Sequence, residues 1–356
     1  MWDMLKKMNK NTKSNLITYG IVIVAFVVMQ LLISTGSISS LLEGLMVPLC
    51  MYIILAVSLN LVVGILGELS LGHAGFMCVG AFSSAFFSKC MADVITIAPL
   101  RFFLALLVGI ASAAVFGIII GIPVLRLKGD YLAIVTLAFG EIIKNLVNVL
   151  FIGKDSNGFH FSTKDVMGLN MEPDGTVIVN GPQGITGTPK DSTFLIGVIL
   201  ILITLFIVIN LTNSRDGRAI MAIRDNRIAA ESVGINVTKY KLMAFTISAA
   251  LAGAAGVLYS HNLSTLTANT NNFGYNMSIN ILVFVVLGGI GSIRGSMIAA
   301  VILTLLPELL RGLSDYRMLI YAIVLILMML FNWAPKSIEW REKYLSFGKK
   351  KKEAAK

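Results

Sequence analysis

GELSLGHAGF, residues 67–76, sets Glu68, His73 and three glycines between two apolar runs. Ionisable side chains are costly in hydrocarbon, and glycine weakens a helix. What such a stretch means depends on what surrounds it. The 356-residue chain is 56% hydrophobic and 13% charged, against about a quarter charged in a soluble domain. This composition reads as an integral membrane protein, and residues 67–76 as a break inside it.

A spanning helix needs about 20 apolar residues. Ten segments are read as membrane segments, the third and the eighth short or glycine-interrupted: 16–33, 42–66, 69–88, 100–122, 131–151, 193–211, 241–260, 279–291, 296–310 and 318–332. The first could be a signal peptide, since STGSISS follows it, but a mainly apolar run 18 residues long favours a span. With the N-terminus inside, the inner segments 1–15, 123–130, 212–241, 292–295 and 333–356 hold 21 of the 29 Lys and Arg residues. That asymmetry predicts a multi-pass membrane protein with both termini cytoplasmic, and a basic tail over 333–356 against anionic lipid. Fusing 279–310 into one helix would put KKKK (349–352) outside, so ten segments are preferred to nine.

The expected fold is therefore an all-α polytopic membrane domain over residues 1–332. Its first half is 16–151, an external loop covers 152–192, and the second half is 193–332. Five segments on each side of the loop reverse the orientation of the second half, which is the arithmetic of an inverted repeat. Each half carries a glycine-broken segment, GELSLGHAGF and LGGIGSIRGS (287–296). Broken segments in corresponding positions point to a translocation path. Ser70, Leu71, Gly72, His73, Ala74, Gly75, Phe76, Gly288, Gly289 and Gly291 are the candidates to line it. Backbone N–H groups freed at a half-helix start could meet a substrate carboxylate. The alternative use of the glycines is close helix packing. His73 reads either as a path-lining group or as a hydrogen-bonded anchor, and Glu68, near an inner end, as reaching water.

Glu141, Lys144, Asn145 and Asn148 form a polar stripe at i, i+3, i+4, i+7 on the fifth segment. At 1.5 Å per residue, Glu141 falls roughly 16 Å from Asp130, near mid-membrane. The stripe is expected to face either the path or a second subunit. SAALAGAAG (248–256) carries small-xxx-small spacing, a packing signal.

Other chemistries find little footing. Cys50, Cys78 and Cys90 form no CxxC pair, and the three histidines are far apart, so no metal site, disulfide framework or catalytic residue is assigned. A net charge of +10 could suggest nucleic acid, but its placement at the ends of apolar runs argues for lipid. No G-x-x-x-x-G-K-[ST] run is present, so ATP hydrolysis by a P-loop is excluded.

The 28-residue stretch SRDGRAIMAIRDNRIAAESVGINVTKYK (214–241) is dense in charge. Ile220, Ile223, Ala230 and Val233 can share one side of a helix, with Arg218, Arg224, Arg227 and Glu231 elsewhere and Gly234 as terminator. A short amphipathic helix of this kind suits docking into a partner's groove.

AAESVGI within that loop resembles the coupling loop of ABC importer permeases. Four stretches in family order resemble the branched-chain amino-acid permease family of LivM type. They are 67–82, 127–142, 217–259 and VLGGIGSIRGSMIAAVIL (286–303). The resemblance implies one membrane subunit of an importer. Its partners would be a second permease of LivH type, two ATPases that bind ATP-Mg, and an extracytoplasmic binding protein; no cofactor is implied in this chain. It also implies that Arg218, Arg224, Asp225, Ala229, Ala230, Glu231 and Gly234 serve ATPase coupling. Residues 160–179 depart from the pattern as a polar insertion. Permeases for urea or short-chain amides fit the same motifs. An ion-driven transporter would leave the loop unexplained, and a membrane enzyme would need a catalytic cluster that is not there.

Overall fold

The computed structural model describes residues 10–36, 39–92, 94–127, 129–173, 175–310 and 316–333. The basic tail from residue 334, with KKKK, lies outside them. Each apolar segment read from the sequence overlaps a helix. The helices of the first half are α1 (Lys10–Ser34), α2 (Ser40–Asn60), α3 (His73–Cys90), α4 (Ala98–Val124) and α5 (Asp130–Val149). Those of the second are α6 (Phe194–Asn213), α7 (Arg215–Asp225), α8 (Arg227–Ser232), α9 (Val237–Ser260), α10 (Thr270–Phe273), α11 (Tyr275–Gly288), α12 (Ile293–Leu309) and α13 (Arg317–Trp333). α2 continues into a wider π turn, Leu61–Leu66. Six helices among the described residues are long and apolar enough to cross a membrane: 15–34, 40–66, 98–124, 130–149, 194–213 and 237–260.

The helices divide by what covers them. α2 is buried almost throughout, whereas α1 and α4 expose Val24, Leu31, Val115 and Ile119. An apolar surface of that extent is a liability in water and is at no disadvantage against lipid. α9 of the second half packs against α3 and α4 of the first; reciprocally, α2 packs against α11 and α12. Close approach makes this possible. A Cβ on Gly256 would lie 2.1 Å from the Met77 carbonyl oxygen, and one on Gly80 2.5 Å from the Gly253 Cα. These are backbone atoms that cannot rotate away, so the small residues of 248–256 are a packing seam. Gly256→Leu is expected to abolish the monodisperse folded peak in size-exclusion chromatography, because overpacking here must push the α3 and α9 helices apart. A normal peak would show that the α3–α9 contact tolerates separation.

The chain is not purely helical. β1 (Phe151–Asp155), β2 (Gly158–Ser162) and β3 (Thr176–Asn180) form an antiparallel sheet in the order β2-β1-β3. β4 (Ile185–Thr186) pairs with β5 (Thr265–Leu266). The all-α expectation is corrected here, and for a physical reason. GFHFS alternates aromatic and polar residues, and TVIVN is rich in β-branched ones, which suits strands. The insertion 160–179 thus belongs to a small module and is not a loose loop. Asp155 is its hub, accepting from the amides of Asn157 (2.8 Å), Gly158 (3.1 Å) and Glu172 (3.3 Å), with His160 Nε2 at 2.9 Å. Burial opposes ionisation of Asp155, but the Asn157 and Glu172 amides and His160 outweigh it and hold its pKa below the ordinary value. A carboxyl lowered on folding stabilises above its unfolded pKa, and that contribution is lost as pH falls through the folded value. The protection factors of the 151–162 amides, corrected for the pH dependence of intrinsic exchange, are therefore expected to fall as pH drops below about 4; unchanged protection factors would remove Asp155 from this role.

Candidate functional site

The two glycine breaks and the amphipathic loop meet at one end of the bundle, and the sheet stands at the other. The first break is not in mid-helix. Residues 67–72 are the turn from α2 to α3, and α3 begins at His73. Gly67 takes φ +80° under the Arg224 side chain, where a Cβ would lie 2.4 Å from Cγ. Glu68 does not reach out to water: its Oε1 pairs with Lys241 Nζ at the start of α9, and both side chains are largely buried. Two charges near the bundle end satisfy each other, as an isolated one could not.

The residues from 70 to 76 are held inward. Ser70 is buried, and its hydroxyl has no hydrogen-bond partner among the described residues. The Leu71 N–H donates to Thr136 Oγ1 at 3.0 Å, and the Ala74 N–H to Ser278 Oγ at 3.2 Å. Gly72 and Gly75 lie against Thr136 and Gly140 of α5. His73 is buried and hydrogen-bonded through Nε2 to Ser58 Oγ at 2.7 Å, while Ser248 Oγ donates to the Ser58 carbonyl at 2.6 Å. His73 therefore stands as an anchor among α2, α3 and α9. The Phe76 ring packs on Phe139 and Phe245. Freed backbone groups in a membrane must find partners locally, and these side chains supply them.

The second break, residues 289–292, joins α11 to α12. Gly289 and Gly291 adopt φ +93° and +83°, a region that side chains with a Cβ rarely enter. Gly288 packs on Gly295 across the turn. The two breaks are neighbours, since a Cβ on Gly64 would lie 2.4 Å from the Gly291 nitrogen. They do not occupy corresponding positions, however. The first precedes α3, whereas the second follows α11. Glycine counts in sequence cannot separate a break before a helix from one after it.

Three residues of the polar stripe meet residues 268–275 of the same chain, at the sheet end. Glu141 accepts from the Tyr275 N–H at 2.8 Å and so caps α11. Lys144 pairs with Glu141 and reaches Thr270 Oγ1 at 3.3 Å, and Asn148 donates to the Ala268 carbonyl at 2.8 Å. Asn145 is exposed and stands apart from this contact. The chain between α9 and α11 is mostly irregular, and its backbone groups recruit the stripe.

The loop 214–236 is two helices, not one. Asn226, at φ −157°, breaks it, and Ser214 and Asn226 cap α7 and α8 through the Gly217 and Ala229 N–H groups. Gly234 ends α8 at φ +83°, donating to the Glu231 carbonyl. The expected apolar side divides. Ile220, Ile223 and Ala230 are buried against the chain's own helices, with Ile223 and Ala230 packing on Val237. Val233 instead is 74% exposed and Ile228 79%. Exposed Ala229 and the Arg227–Glu231 ion pair (3.0 Å) belong to the same short helix. Arg218 donates to the Asn213 carbonyl at 3.1 Å. Arg224 pairs with Asp225 (2.9 Å) and donates through Nη1 to the Gly64 carbonyl at 3.0 Å. The loop is thus bonded to the first break and offers two bare apolar side chains outward.

The sequence profile of the family described as branched-chain amino acid transport system / permease component matches residues 41–331, most of the chain. The chain belongs to that family. It is 38% identical over 297 residues to the high-affinity branched-chain amino acid transport system permease protein LivM of Salmonella typhimurium, covering 81% of this chain and 67% of that protein. With the LivM of Escherichia coli strain K12 it shares 36% over the same length and the same coverage. It also resembles the LivH permease of Salmonella typhimurium, at 29% over 158 residues, 44% of this chain and 50% of that one. No solved structure gives a significant match. The family places this chain among multi-pass transport permease subunits, not enzymes. Sequence reading missed Asn60, Ser58, Thr136, Lys241 and Ser278, the side chains that hold the breaks. Asn60 carried a usable signal, being an amide in the middle of LAVSLNLVVGIL (55–66).

Proposed function

We propose that this chain is the LivM-type permease subunit of an ABC importer for branched-chain amino acids, working by alternating access. The family match over 41–331 carries this reading. A second, LivH-type permease lies beside it in the bilayer, a binding protein delivers substrate outside, and two ATPases bind ATP-Mg inside. Ten spans in two inverted halves agree with the reciprocal packing of α9 on α3 and α4 and of α2 on α11 and α12. The α7–α8 end is cytoplasmic, as its lysines and arginines favour. An ATPase groove takes α8, with Ile228 and Val233 as the inserted apolar side chains. Substrate passes at the interface with the second permease, and residues 70–76 and 288–291 shape that passage by positioning α3, α11 and α12.

The test is recovery of the chain from its native membrane in mild detergent, with mass spectrometry of what accompanies it. Two ATPases, a second permease and ATP-dependent uptake of leucine, isoleucine or valine in liposomes are expected. Recovery of the chain alone, transporting without ATP, would refute the importer reading.

A further inference from the structure

Asn60 is fully buried at the end of α2, and neither of its polar groups serves its own helix. Its Oδ1 accepts from the Gly291 N–H at 2.9 Å, and its Nδ2 donates to Ser296 Oγ at 3.0 Å. Both partners belong to the second break and the helix it starts. Ser296 Oγ in turn donates to the Ser292 carbonyl at 3.2 Å, and Ser292 caps α12 through the Gly295 N–H. One turn beyond Asn60, Gly64 leaves a notch that the amide fills: a Cβ there would lie 2.0 Å from Asn60 Oδ1. The carbonyl of that same Gly64 accepts from Arg224 of α7.

The backbone at Gly291 is one that only glycine readily adopts, and no helix satisfies its N–H. Asn60 supplies the acceptor. A buried polar group that loses its partner is heavily penalised. A shift of α7 that keeps the Arg224–Gly64 bond pulls on the end of α2, which must then either carry the 289–292 turn with it or break two buried hydrogen bonds. Spatial adjacency alone is no proof of coupling; that needs an element whose arrangement both ends bias. The turn between α11 and α12, hung on Asn60, has the form of such an element.

We propose that Asn60 is the positioning residue through which movement of the α7–α8 loop reaches the α11–α12 break. This inference rests on the reading of that loop as the ATPase-coupling element and adds its receiver within the membrane helices.

The experiment uses the complete transporter, purified with its ATPases and second permease. Nitroxide labels are placed singly on Asp216→Cys, exposed at the start of α7, and on Ile290→Cys, exposed in the break. The native cysteines are buried. A non-hydrolysable ATP analogue is expected to change the spectra of both labels. In Asn60→Leu it should change only the Asp216 label, with ATP hydrolysis within twofold of the parent and uptake per ATP lowered at least about tenfold. Asn60→Asp keeps an acceptor for Gly291 and should restore the Ile290 response. A persisting Ile290 response in Asn60→Leu overturns the inference and leaves the coupling reading intact. A silent Asp216 label in the parent overturns the coupling reading itself. Should Asn60→Leu fail to assemble, Ser296→Ala removes one of the two bonds and is expected to lower uptake per ATP severalfold; unchanged uptake per ATP overturns the inference.

Discussion

Replacing Ile228 and Val233 together by aspartate is expected to release the ATPases and reduce uptake to background, while the chain still inserts and folds. Both side chains are exposed, so the folded state loses no packing with them. Apolar anchors at the centre of an interface are each worth about 2 kcal/mol or more. Losing two, with charges set against an apolar groove, lowers affinity by about three orders of magnitude. Co-purification and ATP-dependent uptake measure the effect. Ile223→Asp and Ala230→Asp, at 4% and 3% exposure, are the contrast: they should reduce the amount of folded chain. If the exposed pair changed nothing while the buried pair abolished ATPase binding in folded protein, the docking face would be the wrong one.

Lys241→Met is expected to destabilise the chain by about 3–5 kcal/mol, the usual result of leaving one partner of a buried ion pair behind. Glu68 would then be held in the α2–α3 turn without a counter-charge, between α2 and the loop helices. Lys241→Met with Glu68→Gln should recover most of the loss, because the uncompensated carboxylate is removed with the cation. Thermal unfolding in detergent, read as a double-mutant cycle, separates this from simple loss of the lysine stem. Additive losses would mean that the pair is not coupled in the folded protein.

Much of the fold was legible because a bilayer imposes a simple rule. A helix that crosses hydrocarbon must be predominantly apolar along its length, so segments such as 42–66 and 193–211 stand out without any knowledge of their neighbours. The packing seam 248–256 was legible for a related reason, since only small side chains let two backbones touch. The strands of 151–180 were harder, because five-residue runs are short and lie within a stretch whose polar residues and glycines read as loop. The amphipathic loop was legible as a feature but not in its orientation. A 3.6-residue period places Ile220, Ile223, Ala230 and Val233 near one another, and it cannot say which of them meets the chain's own core.

Partner choice is where sequence reading stops. The polar stripe of Glu141, Lys144 and Asn148 was visible as a costly face needing cover, yet nothing local names residues 268–275, more than a hundred positions away, as that cover. Asn60 and Gly291 are 231 residues apart. By itself the sequence determined that this chain lives in a membrane, where its helices run, which loop is charged and which family it resembles, for these follow from composition, period and motif along the chain. Only the tertiary structure decided that Glu68 is paired, that His73 is an anchor, that both breaks meet the loop at one end, and that Ile228 and Val233 are left outward. Each of those depends on which distant groups come within about 3 Å, the range in which a hydrogen bond forms, and that distance is set by the packing of helices from both halves.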